Sequence, residues 1–441
     1  MRSRRGAGAD LYTLAEELNN LGDHERALPL AERAVSEDPQ AWRNWCNLAR
    51  ALNGLFRHAE ALRATERALA LEPQAEWAYR QRAVALGGLG RRSEALAAVR
   101  ESVRISPNES RTWAHLANVA AQLGYESEAR QAAERAVALN PTFAGHWVTL
   151  SFVCLEVDWD EAQRACERAL QLEPDNRMAL NNLGWVLLTR GAAQEARDLF
   201  DRAIRIAPGQ TKWLYNRALA TGLLEGREAG TAEYRRASEL GLAHAERRIA
   251  DNPRNAVAHA HRATLLRHLG TDPNVVLESM RRAVALDPHL AAGWGGLTET
   301  AAAAGRWQLA RYSARRAIAA DPSTPGRWTN AAEVAFHAGR PAEAASWANR
   351  VVAEAPDSRA YLEAKRLLHD INGEVEEALA VAREDLSLSP LSCCRNVAVA
   401  ACHIALKDEQ SAHEALEQAE LSRPGCGCFR RQRVQRLLGN A

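Results

Sequence analysis

Residues 42–73 read WRNWCNLARALNGLFRHAEALRATERALALEP. Trp45, Leu48, Ala49 and Leu52 are spaced by three, one and three residues, which at 100° per residue places them on one stripe of a helix. A turn follows, and other copies of the pattern put a glycine there: Gly22, Gly90, Gly124, Gly191, Gly270, Gly305, Gly339 and Gly373. Glycine suits the left-handed conformation that ends a helix. A second helical pattern then carries Ala61 and Ala68 seven apart, small enough to let two antiparallel helices approach closely. The segment ends on Pro73, which cannot continue a helix.

The unit recurs. Pro39, Pro73, Pro107, Pro141, Pro174 and Pro208 follow one another at 34, 34, 34, 33 and 34 residues; Pro253, Pro288, Pro322, Pro356, Pro390 and Pro424 follow at 35 and then 34. Between the two series the stretch GLAHAERRIADNP adds eleven residues, close to three helical turns. A whole-turn insertion lengthens a helix without rotating its buried face. It reads either as a surface elaboration or as a partner-binding or hinge element, and as an irregular junction.

The order Trp, Leu, small, large, then Ala, Ala and Pro at a 34-residue period resembles the tetratricopeptide-repeat family. The resemblance covers twelve units. It departs from the family pattern at Arg82, where leucine is favoured, and at Lys365 and Arg366, which fall on core-type positions. It implies an all-α fold, a right-handed superhelical solenoid of antiparallel helix pairs whose first helices line a concave groove. The expected organisation is a disordered segment over 1–7, repeats 1–7 over 8–242, a helical junction over 243–255, repeats 8–12 over 256–426 and a capping helix over 427–441. That last helix, FRRQRVQRLL from Phe429, is basic with Val434, Leu437 and Leu438 on an apolar side. A solenoid needs a polar-faced helix over its open end; a membrane-surface or nucleic-acid helix has the same pattern.

The 56 basic residues nearly cancel the 55 acidic ones, so no bulk field draws the chain to nucleic acid or anionic lipid. No apolar run reaches the roughly 18 residues that span a bilayer. Met1–Asp10 carries Arg2, Arg4 and Arg5 but no following apolar region, unlike a secretory signal. Eight scattered cysteines do not make the framework of a small secreted domain. Cytoplasmic residence is the expectation, and the preference for arginine and alanine suggests a GC-rich, bacterial genome. Phosphate-loop, dinucleotide, HExxH and GxSxG motifs are absent from the sequence, so the reading is a non-enzyme without cofactor. One metal option remains. Cys393 and Cys394 begin the first helix of repeat 12, and Cys426 and Cys428 follow its second, so antiparallel packing would converge four thiols as in tetrahedral zinc. The alternative is four unrelated small residues.

Opposite the core stripe, positions 2, 6, 9 and 13 of each first helix point into the groove the resemblance implies. They and a neighbour give Arg43, Asn47, Arg50, Trp77, Arg80, Gln81, Arg111, His115 and Asn118, then Phe152, Asn182, Trp185, Lys212 and Asn216. The asparagines are either ordinary family residues or hydrogen-bonding partners for a bound backbone. Glu299 and Glu333 come later on the same face. The arginines form a ladder interleaved with amides and ending at Phe152 and Trp185. Arginine forks suit carboxylates, and an aromatic holds an apolar anchor. The expectation is therefore a scaffold or adaptor that binds a protein segment, acidic and then hydrophobic. A regulatory or sensor subunit, or a recruiting subunit for an enzyme on another chain, is the alternative. Nucleic acid is disfavoured by the neutral balance and the two glutamates. The inner face of repeats 11 and 12 is apolar through Ala360, Ala364, Leu367 and Ile371, then Cys394, Ala398, Ala401 and Ala405. Soluble monomers avoid such patches, so a cover is expected, as a homodimer contact or a partner helix.

Overall fold

The computed structural model describes residues 2–439 except 22, 90, 156, 208–210, 323, 357 and 424–428. Among the described residues there are twenty-five helices and no strand. They run in pairs: α1 (Arg2–Leu21) with α2 (His24–Glu37), α3 (Trp42–Gly54) with α4 (His58–Leu71), α5 (Glu76–Gly88) with α6 (Arg92–Ile105), and α7 (Ser110–Leu123) with α8 (Glu126–Leu139). Next come α9 (Ala144–Cys154) with α10 (Trp159–Leu172), α11 (Arg177–Thr189) with α12 (Ala193–Ile206), α13 (Thr211–Glu225) with α14 (Arg227–Asp251), and α15 (Ala256–His268) with α16 (Pro273–Leu286). The last pairs are α17 (Ala291–Ala303) with α18 (Trp307–Ala320), α19 (Pro325–His337) with α20 (Pro341–Glu354), α21 (Ala360–Asn372) with α22 (Val375–Leu388), and α23 (Cys393–Ala405) with α24 (Glu409–Ser422). α25 (Phe429–Leu437) stands alone. The chain is an all-α solenoid.

Each helix packs on the next, and first helices also pack on first helices, α1 on α3, α3 on α5, α7 on α9 and α19 on α21. They form the inner wall. The seven-apart alanines are the seams: Ala61, Ala68, Ala129 and Ala136 are wholly buried. Gly124 and Gly373 end α7 and α21 at φ 83° and 80°, the left-handed region. The tryptophans and prolines of the repeat are coupled. The indole nitrogens of Trp45, Trp113, Trp147 and Trp294 donate to the carbonyls of Pro39, Pro107, Pro141 and Pro288 at 2.8–2.9 Å. The core ring of one pair thus ties down the turn that closed the pair before it.

α1 begins at Arg2, inside the stretch expected to be disordered. The eleven extra residues are one continuous extension of α14, which has 25 residues where other second helices have 14. Near its start Gly230 faces Gly222 so closely that a Cβ there would stand 2.7 Å from the Gly222 Cα. Further on, Gly241 and Ala245 are buried, and Arg248 lies 4.5 Å over the Phe56 ring of the second pair. The extension reaches back across the coil.

It is one of several contacts that lap the end of the solenoid onto its beginning. Arg359 Nε donates to Glu126 Oε1 at 2.8 Å across 233 residues, close to seven periods of 34. Arg423 Nε donates to Tyr234 Oη at 3.1 Å, α13 packs on α24, and Leu391 packs against the Leu188–Phe200 cluster that also holds Trp185.

α25, expected from the sequence as a capping helix, meets the last pair through Val434 in its core cluster and through Arg431 on Glu420 of α24. It lies on the inner wall, against α23 and α17. The reason is complementarity. Val434, 3% exposed, enters the core cluster of Val397 and Ala400, while Arg430 Nε sits 3.6 Å from Glu333 Oε2 and Arg433 bonds His337. The cover sought for repeats 11 and 12 is therefore supplied within the chain. Leu367 is 1% exposed and Ala360 and Ala364 are buried with it, while Ile371, Cys394, Ala398 and Ala401 are half-buried.

Candidate functional site

Eight of the fourteen expected groove residues share one cleft of about 920 Å³ on the inner wall of pairs one to five. Arg43, Arg50, Trp77, Arg80, Gln81, Arg111, His115 and Asn118 line it, together with Tyr12, Glu16, Trp42, Phe143 and His146. They meet because corresponding positions on successive first helices stack one above another, and those helices lie in direct contact.

The electrostatics are one-sided. Arg50 Nη1 donates to Asn20 Oδ1 at 2.7 Å, and Arg80 Nε lies 2.5 Å from Glu76 Oε1. Burial lowers the Arg50 guanidinium, and the neighbouring Arg80 and Arg111 lower it further against Glu16. Burial likewise raises the Glu76 carboxyl. The arginines are thus crowded against one another more than they are neutralised. Arg43 lies 5.2 Å over Trp42, and Arg111 6.0 Å over Phe143, whose ring is 46% exposed. His146 is 1% exposed with neither ring nitrogen hydrogen-bonded.

Burial pushes His115 down to about 4, with Arg80 adding to the effect, and does the same to His58 beside Arg248. Both are neutral near pH 7, so the positive charge of the cleft belongs to its arginines. The unfolded chain, with ordinary histidines near 6.5, takes up protons first as pH falls. Their contribution to stability is therefore complete above about pH 6.5 and is lost progressively down to about 4. Denaturant midpoints should fall between pH 7 and pH 5, and His58→Gln with His115→Gln should flatten that fall. A wild-type midpoint that rises on acidification contradicts the assignment.

Three asparagines expected in the groove are elsewhere. Asn47 is 1% exposed: its amide donates to the Tyr12 carbonyl at 3.1 Å and its Oδ1 accepts from Asn19 Nδ2 at 2.7 Å. Asn182 Nδ2 donates to Ser151 Oγ at 3.0 Å, and Asn216 Nδ2 to Asn181 Oδ1 at 2.9 Å. These amides tie first helix to first helix, where an unpaired polar group would be costly. Gln81 is half-committed in the same way, accepting from Asn53. Trp185 is half-buried on the cluster that Leu391 also packs against, Lys212 is exposed outside the cleft, and Phe152 lines a separate cavity of about 700 Å³ between the two laps with Arg327, Arg359 and Arg395. Trp42 and Phe143, which line the cleft with Trp77 and Tyr12, lie at or beside the start of their helices and escaped the positional rule. His146 escaped it for lack of any periodic signal.

Glu333 is not on an open wall. It is 3% exposed and paired with Arg366, with His337 Nε2 3.3 Å away. Burial alone would raise its carboxyl, but Arg430 and Arg366 hold it well below the usual range. Glu299 pairs with Arg267 at 3.0 Å. Of the thiols considered for zinc, Cys426 and Cys428 lie outside the described residues. Cys393 is buried in the core of the twelfth pair and Cys394 lines the 700 Å³ cavity. Among the described residues no cluster of three or more His, Cys, Asp or Glu side chains is placed to hold a metal ion, and no helix is long and apolar enough to cross a membrane.

Four tetratricopeptide-repeat families match the chain, over residues 9–51, 110–143, 158–211 and 301–368. No curated protein matches it. Among solved structures it is similar to a thermophilic tetratricopeptide-repeat protein of Thermus thermophilus, 24% identical over 41% of this chain and 99% of that one, with a TM-score of 0.39. It is also similar to YrrB, described as a tetratricopeptide-repeat protein with an unusual peptide-binding site, at 22% identity over 42% and 96% with a TM-score of 0.32. PilF of Pseudomonas aeruginosa is 18% identical over 48% and 96%, with a TM-score of 0.39. With its 34-residue helix pairs and four matched segments, this chain is a tetratricopeptide-repeat protein.

Proposed function

We propose that the chain is a non-catalytic scaffold whose first lap holds an acidic segment of a partner protein, followed by a hydrophobic anchor, in the arginine-lined cleft. The supporting observation is the imbalance of that cleft: among the described residues that line it, Arg43, Arg50, Arg80 and Arg111 stand against one carboxylate, Glu16, with Glu76 paired to Arg80 beside it, and the buried ring of His146 has neither nitrogen hydrogen-bonded. Guanidinium groups held short of their carboxylates gain most from a ligand that brings its own. Polar side chains kept out of water without a partner are likewise satisfied by a bound segment. Phe143 and Trp42, each under an arginine, supply the apolar contact, in place of the Phe152 and Trp185 first considered.

A random peptide library displayed on phage and selected on the purified chain tests this. Enrichment of sequences with two or more acidic residues next to an aromatic or aliphatic one is expected. Enrichment of basic sequences, or tighter binding of single-stranded RNA than of any acidic peptide, overturns it.

A further inference from the structure

The inner wall of the last pairs carries a second arrangement, opposite in charge to the first. Glu333 and Asp370 from α19 and α21, with Arg366 bonded to both, stand around an apolar floor that includes Phe336, Leu367 and Val397, and Glu420 on α24 adds a carboxylate outside it. α25 rests on that floor. Its Arg430 and Arg431 reach Glu333 and Glu420, and Val434 is its buried apolar contact.

The fit is incomplete. A void of about 270 Å³ remains between α25 and the wall, bounded by Arg433, Val434 and Leu437 on one side and by Phe336, Val397 and Ile404 on the other. Arg431 is 9% exposed, yet its Nε and one terminal nitrogen have no hydrogen-bond partner. Leu437 is 59% exposed. At nine residues α25 is also shorter than a helix that persists by itself in water. A void forfeits contacts on both of its walls, and a buried guanidinium with two of its nitrogens unbonded costs more than an exposed one. The wall is better than its occupant.

We propose that this wall is a recognition site for a basic amphipathic helix of a partner protein, and that α25 is its resident, displaceable occupant. The preferred helix has arginines that meet Glu333 and Glu420, as α25 does, and an apolar residue larger than valine at the position of Val434. The site is independent of the arginine-lined cleft and selects the opposite charge.

The test uses the full-length chain and, as probe, a fluorescent peptide of residues 429–440. Wild-type chain should bind the probe, and a full-length Val434→Asp chain, whose own helix is evicted, should bind it at least about tenfold tighter. A probe carrying Val434→Leu should gain about threefold on both by filling the void, and one with every arginine replaced by glutamate should not bind. Circular dichroism and a second full-length variant, Arg430→Glu, guard against misfolding, since both must keep the helical signal of α1 to α24 and show the same gain. Absence of binding to the folded variants removes the site. Binding to the variants but none to wild type up to millimolar probe makes α25 a permanent cover and overturns its displacement. Dimers of wild type in light scattering that Val434→Asp abolishes assign the wall to the helix of a second copy and overturn the partner.

Discussion

Replacing Arg366 by methionine should destabilise the chain by about 3–5 kcal/mol, the cost of removing one partner from a buried ion pair. Arg366 is 7% exposed and bonds both Glu333 and Asp370, and Glu333 is 3% exposed. Without the guanidinium, Asp370, already raised by burial, takes up a proton. Glu333 is left to Arg430 and His337. Because Arg430 belongs to α25, the loss should spread from α19 and α21 to the last helix. Guanidinium unfolding of the variant measures it. Solenoids can unfold in more than one step, so hydrogen exchange should locate the weakened segment in pairs ten to twelve and in α25. A loss below about 1 kcal/mol would show that water or Arg430 compensates fully. Replacing Arg366, Glu333 and Asp370 together by apolar residues of similar volume should recover much of the stability, since buried ion pairs are often matched by well-packed hydrophobic substitutes.

Arg50→Glu with Arg111→Glu should weaken an acidic partner segment at least about tenfold, or about 1.4 kcal/mol, while leaving the chain folded. The two reversals change the sign of the cleft at two levels of the wall. They also relieve the crowding that lowers Arg50, so the fold loses little by them. Titration calorimetry with a peptide from the library selection gives the number. Wild-type affinity should fall with added salt, as screening of opposed charges requires, and should change little between pH 6.5 and 8 because the nearby histidines are neutral there. Unchanged affinity in the folded double mutant would move the binding surface to the outer helices or to the extension of α14.

The helix pairs were legible because a 34-residue period leaves little freedom. Once Trp45, Leu48 and Ala49 share a stripe and Ala61 and Ala68 a seam, the hairpin follows, and Pro73 says where it stops. The arginine ladder was legible too, since it needs only the angle of each residue from that stripe. Asn47 and Asn182 defeated the same rule because an angle does not say how far a short side chain reaches. Both are drawn into the joint between neighbouring first helices, where amides pair with amides. The position of α25 was beyond any local pattern. It depends on Glu333, which meets Arg430 across roughly a hundred residues, a separation that period and stripe cannot express. The eleven residues added to α14 could be counted but not interpreted until Phe56 was found beneath Arg248.

The lap has a consequence for how the chain reaches its native state. Contacts between neighbouring pairs close loops of one period, and such local contacts form early and quickly. Glu126 and Arg359, 233 residues apart, would have to search a large volume in an unwound chain. In a wound coil they are delivered to each other by the pitch of the pairs between them, and the search disappears. The lap is thus expected to form after the pairs it joins. A deletion within any intervening pair should therefore displace Arg359 from Glu126 and open the lap.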